Sequence, residues 1–266
     1  MTVTEALHQR RAVPSFDQSV TISRNEVDAL IDVASLAPSS MNLQPWEFLV
    51  SFTKEDKARM QSVAMNQKKV SEASAVLAVI CNLDFPSNAL KVANSNIEKG
   101  YLSEDRKAGF VENANSLRSN PQALREEAIR SCNLWAMAFM LAATEAGWDT
   151  APMGGFVAES LSAEFGLPES RFPVLIIAIG KRNPEITILE RSIRLTSEEL
   201  RHEGNWSENK ENQRFIELIG GKDASLLKVY GEDHKKVSCN CNIDCIWFHF
   251  ARTRHSNDRA ASLVWA

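Results

Sequence analysis

The chain has 266 residues, 44% of them hydrophobic and 24% charged, with 11 Gly and 9 Pro, an ordinary globular composition that excludes collagen-like, disordered and disulfide-scaffold classes. Thirty Lys and Arg against 34 Asp and Glu give a formal net charge of -4 with no polybasic block, so no nucleic acid partner is expected. The longest apolar run, 134–143, is about half of the roughly 20 residues a membrane span needs, and MTVTEALHQRR lacks the basic-then-apolar order of a secretion signal, so the expectation is a cytoplasmic protein with no membrane partner.

In chain order, Thr4 to Arg11 reads as a short helix that Pro14 prevents from continuing, with Arg10 and Arg11 at its end. Ser23 and Glu26 have capping-box spacing, and Val27, Leu30, Ile31 and Ala34 recur at helical intervals up to a stop before Pro38. A short strand at 47–52 and a helix from Thr53 to about Ala64 follow. The β-branched, continuous run 74–83 reads as a buried strand, and polar helical sequence then extends to about Ser119. Asn120-Pro121 opens a long helix to Ala146 that Gly147 closes, roughly 39 Å at 1.5 Å per residue, apolar nearly all round in its second half. A loop from Trp148 to Phe156, a helix at 158–165 and a second continuous strand at 173–180 complete an α+β pattern: a central antiparallel-type sheet flanked by helices around a long buried helix.

The character changes near Trp206, where SENKENQ replaces apolar periodicity, and a boundary is expected there, with 1–206 as the main domain and 207–266 as a C-terminal extension. Five cysteines, an odd number, agree with a reducing compartment. Cys239, Cys241, Cys245 and His249 offer a set zinc could use. Their spacing is not that of a standard finger, and an unstructured extension or sequence appended by a shifted reading frame explains them as well, so no metal is assigned.

Motifs for dinucleotide-binding GxGxxG, Walker A, GxSxG and HExxH are missing, and only His8 among five histidines precedes residue 200. No side chain is therefore assigned as catalytic, and an enzyme of this kind would rely on a bound cofactor. Three segments have the composition of an anion and heterocycle site, each with a plainer alternative. Arg10 and Arg11 offer guanidinium forks or simply end a helix; Ala37-Pro38-Ser39-Ser40-Met41-Asn42-Leu43-Gln44-Pro45-Trp46 is a rigid, donor-rich loop or a turn cluster; Pro152-Met153-Gly154-Gly155-Phe156 offers backbone N–H donors or a plain turn.

In this order and spacing, RRAVPSFD, APSSMNLQPWEFLV, Asn66-Gln67-Lys68-Lys69, GWDTAPMGGF, AEFGLP, VLIIAIGKR and Arg194-Leu195 resemble the FMN-dependent nitroreductase family, over about Thr4 to Trp206. The resemblance implies an α+β sandwich, a homodimer with two FMN sites at its interface, and NADH or NADPH as hydride donor. Hydride would pass through FMN to a nitroaromatic, quinone or similar flat small-molecule acceptor by a ping-pong mechanism. It also implies that Arg10, Arg11, the neighbouring Ala12 and Arg194 lie at the phosphate end, and that Asn66 and Lys69 meet the pyrimidine edge. Pro152, Met153, Gly154 and Gly155 would line the ring, with the Gly154 N–H at flavin N5, and Pro38, Ser39, Ser40 and Asn42 would reach the flavin of the other subunit. The sequence departs from the family pattern at Ala12, where Ser or Thr is usual, at Pro14, where a basic residue is usual, and at Ser192 and Thr196. A flavin-binding or flavin-storage module with little turnover, or a same-fold reductive dehalogenase, remains open on sequence alone.

Overall fold

The computed structural model describes residues 1–204, which divide into two compact units after Glu190. The expected boundary at Trp206, the extension and its Cys/His cluster lie outside the described residues. In the first unit, α1 (Val3–Gln9) and α2 (Arg24–Ala34) each begin with a reciprocal capping box, Thr2 with Glu5 and Ser23 with Glu26. Strand β1 (Trp46–Ser51), α3 (Lys54–Val63), α4 (Lys68–Glu72), β2 (Ala75–Asn82), α5 (Ala89–Glu98) and α6 (Lys107–Ser116) lead to the long α7 (Pro121–Glu145). Asn120 caps α7 by accepting from the Ala123 N–H at 3.1 Å, and Gly147, at φ +77, ends the connection in a left-handed conformation that favours glycine. Strand β3 (Asp149–Met153), α8 (Ala158–Phe165) and β4 (Arg171–Gly180) close the unit, and the second unit holds the short α9 (Ser197–Leu200).

The four strands form one antiparallel sheet in the order β1-β2-β4-β3. Along β2, Ala75, Leu77, Val79 and Cys81 face one apolar cluster, while Val76, Ala78 and Ile80 face another. The period-2 alternation of a strand puts successive side chains on opposite faces, so a run that is apolar throughout must be covered on both. The first cluster packs against α7 and α2, where Trp135 lies 4.1 Å from the Phe48 ring and 5.0 Å from the Phe139 ring and donates its indole N–H to Ser35 Oγ at 3.2 Å. The second packs against α3 and α8. Deep in the first, the thiols of Cys81 and Cys132 lie 3.1 Å apart, and their mutual hydrogen bond and burial push the Cys81 thiol up.

Two expectations need correction. The first helix ends at Gln9, not Arg11: Arg10 turns to an extended ψ of 122, so both arginines stand just beyond the helix. The loop expected over Trp148 to Phe156 contains β3. A proline inside it and two glycines after it mask a strand that tolerates Pro152 because it is the sheet's edge, where a missing N–H breaks no ladder on the open side.

Gly180 ends β4 where the chain at Phe16 crosses it. A Cβ there would lie 2.9 Å from Phe16 Cδ1 and 3.1 Å from the Ser74 backbone nitrogen, and Phe16, 1% exposed, has no room to withdraw. Gly180→Ala is expected to lower unfolding free energy by about 1–3 kcal/mol, read as a reduced urea midpoint with an unchanged slope.

Candidate functional site

The segment after α1 runs along the outer edge of β3. Ala12 bridges Thr150 in the parallel sense, and the Val13 N–H donates to the Thr150 carbonyl at 3.2 Å. Arg11 donates to the Leu189 carbonyl at 2.7 Å, and the Phe16 N–H reaches the Glu72 carboxylate of α4 at 3.4 Å. At its other end α4 begins with Gln67, whose side chain touches Gly155. The arginine segment, β3, the Gly154-Gly155 turn and the Asn66–Lys69 turn thus form one continuous neighbourhood. Along β3 and just beyond it, the four residue steps from Thr150 to Gly154 cover roughly 13 Å, which suits an elongated ligand with an anion at one end and a ring at the other.

Two features give this neighbourhood chemical character. Lys69 is only 6% exposed, yet among the described residues its ammonium has no hydrogen-bond or ion-pair partner, and burial pushes its pKa below the ordinary lysine value. Gly154 is exposed, and among the described residues neither its N–H nor that of Gly155 donates to a backbone carbonyl in a turn or loop. A partly desolvated cation without a counter-charge among the described residues, on the turn that Gln67 ties to Gly155, fits an electron-rich, partly anionic ring such as a flavin.

Pro38, Ser39, Ser40 and Asn42 lie elsewhere. Their loop leads into β1, on the opposite edge of the sheet from β3, three strand spacings or roughly 14 Å away. It is braced internally: the Gln44 N–H donates to Ser39 Oγ at 3.0 Å, and the Gln44 carboxamide donates to the Asn42 carbonyl and Oδ1, both at 3.1 Å. The chain therefore carries the expected residues as two groups on two sheet edges. Arg194 belongs to the second unit, where its guanidinium donates to the Ser192 and Ile193 carbonyls.

Among the described residues, the non-glycine positions with positive φ are Met41, Asn42, Gln44, Met65 and Asn66, all in the two loops that carry expected site residues. Such conformations cost on the order of 1 kcal/mol each and tend to persist where function holds them. Gln67 was not assigned a role from sequence. Its signal was weak, a carboxamide between Asn66 and Lys68, and only its tertiary contact to Gly155 reveals it.

The nitroreductase family profile matches residues 7–181. The chain belongs to the nitroreductase family. It is 36% identical over 177 residues to YodC of Bacillus subtilis, which is named an NAD(P)H nitroreductase, covering 66% of this chain and 88% of that one. It is 31% identical over 188 residues to a CLA biosynthesis enone reductase of Lactiplantibacillus plantarum, covering 69% and 87%. A structure from Exiguobacterium sibiricum solved in complex with FMN superposes with a TM-score of 0.69 at 30% identity, covering 78% and 98%. The nitroreductase fold and the α+β class expected from sequence are thus both found. Among the described residues no helix is long and apolar enough to cross a membrane.

The buried charge of Lys69 yields a prediction with opposite signs in the two states. Without a ligand it opposes folding, because the folded state disfavours the protonated form. The penalty is complete below the lowered folded-state pKa and is relieved as pH rises toward the unfolded value of 10.5. At pH 7 Lys69→Met should raise the Tm of flavin-free protein by about 2–4 °C and weaken FMN binding roughly tenfold, measured by scanning calorimetry and by quenching of FMN fluorescence. The Tm gain should shrink as pH rises toward 10.5.

Proposed function

We propose that the protein is an FMN-dependent NAD(P)H oxidoreductase that reduces flat, conjugated acceptors such as nitroaromatics, quinones or enones. The observation that carries this reading is Lys69, largely buried and without a partner among the described residues, on the turn that Gln67 ties to Gly155, where the Gly154 and Gly155 N–H groups donate to no backbone carbonyl among those residues. Family membership and the names of the relatives support it. FMN, when bound, supplies two-electron chemistry, receiving hydride from a nicotinamide and delivering it to a second substrate. The residues of this chain hold and tune it. Arg10 and Arg11 offer guanidinium forks to its phosphate. Asn66 presents a carboxamide to the pyrimidine edge. Lys69 offers positive charge where negative charge grows on reduction, a preorganised interaction that costs no rearrangement at the moment of reaction. Pro152 and Met153 lead into the Gly154-Gly155 turn, whose small residues let donor and acceptor approach the ring in turn. No side chain needs to move a proton, in keeping with the scarcity of histidine before residue 200.

Titration of the purified yellow protein with NADPH under nitrogen should bleach the flavin absorbance, and a quinone should restore it. A flavin that stays oxidised with excess NADPH and NADH would identify a storage module instead.

The second group, Pro38, Ser39, Ser40 and Asn42, completes the site only if it comes from another copy of the chain. Support comes from exposed apolar side chains on α7 and on the two helices that pack against it: Val3 of α1, Val33 of α2 with Leu36 just beyond it, and Leu134 of α7. Exposed apolar side chains of this kind suit a twofold interface, which uses the same surface on both partners. Arg10→Ala and Asn42→Ala chains should each bind FMN weakly as homodimers. Hybrids of the two carry one unaltered site, so mixing after mild denaturation should restore FMN content. No recovery in hybrids separated by differential tagging would overturn the shared site.

A further inference from the structure

Gln67 is the side chain that joins the two loops of the β3-edge group. Its carboxamide nitrogen donates to the Ala64 carbonyl at 3.1 Å and to the Gly155 carbonyl at 3.0 Å. Both acceptors are carbonyl oxygens, so only the NH2 end of the carboxamide can serve there, and both of its protons are used.

The consequence passes along the backbone. Because a trans peptide is planar, fixing the Gly155 carbonyl also fixes the N–H of Phe156, which donates to the Gly154 carbonyl at 3.1 Å. Fixing the Gly154 carbonyl in turn aims the Gly155 N–H, which points the opposite way from it across the same plane. Val157 anchors the far side by donating to the Val63 carbonyl at 3.1 Å. The turn that carries Gln67 is itself held under strain. Met65 and Asn66 both have φ of 53, and the Asn66 N–H donates to the Gln61 carbonyl at 3.0 Å.

We propose that Gln67 is a positioning residue for the flavin reaction: it locks the Gly154–Phe156 backbone to the Asn66 turn and thereby aims the glycine N–H donors at the ring. The proposal rests on the FMN reading above and assigns Gln67 no contact with FMN. A Gln side chain is required rather than a bulky apolar one, because the two carbonyls it joins lie 91 residues apart in sequence and neither is served by any other side chain among the described residues.

The test compares wild type with Gln67→Met and Gln67→Glu in the full-length protein, loaded with FMN. Gln67→Met keeps the length and removes both donors. It is expected to raise the FMN dissociation constant roughly tenfold, to slow stopped-flow flavin reduction by NADPH by about as much, and to shift the flavin midpoint potential. In flavin-free protein it should also speed hydrogen exchange at Phe156 while leaving the amides of β2 protected. Gln67→Glu provides a second route should the Met variant fold poorly. Its FMN affinity, relative to wild type at each pH, should recover as pH falls and the carboxyl gains a proton to donate to the Gly155 carbonyl. A loaded Gln67→Met protein with wild-type FMN affinity, reduction rate, potential and Phe156 exchange overturns the proposal alone. A wild-type chain that takes up no flavin overturns the FMN reading and the proposal with it.

Discussion

The structure depends on burying β2 on both faces. Seven of its eight residues are buried, and they divide alternately between two apolar clusters that share no helix. Neither cluster closes without this strand and β4 beside it, so α7 and α2 on one side and α3 and α8 on the other are each held by the same few residues. A fully covered central pair of strands leaves only the sheet edges and strand ends free for chemistry. The two groups of candidate residues lie there, one before β1 and the other along and just beyond β3.

Rigid support beneath the loops explains how they hold unfavourable backbone. Each strained loop is braced by a glutamine carboxamide, Gln44 bonding to Asn42 and Gln67 bonding to Ala64 and Gly155. Left-handed conformations at Met41 and Met65 would relax in a freely moving loop. Here they are held by hydrogen bonds that are local within the Gln44 loop, whereas the bond from Gln67 to Gly155 comes from the fold and is one that local sequence cannot encode.

Much of the fold was legible in the sequence because the strongest local signals agreed with burial. The Ser23–Glu26 box, the Thr53 and Asn120 caps and the two continuous apolar strands all sit where propensity and period point together. β3 was hidden because Pro152 and the glycine pair are turn residues by every local rule, and only its edge position reconciles them with a strand. The polar stretch before α7 read as helical, but its division into α5 and α6 with short 3-10 turns could not be read from weak periodicity. The site residues were legible as a resemblance in motif order. The grouping onto two sheet edges and the bracing by Gln67 were not, because both depend on contacts between segments tens of residues apart.

The Cys81–Cys132 pair has a practical meaning of its own. Two thiols with no exposed surface, held between the central strand and the long helix, are shielded from any reagent in water while the first cluster is intact. Thiol chemistry proceeds through the thiolate, which this environment suppresses. Local fraying of the strained loops would leave the pair untouched, whereas separation of β2 from α7 would expose both sulfurs together. The molecule therefore contains a chemical clock for global opening, and the rate at which these two positions react measures the lifetime of the fold itself rather than the motions of its active edges.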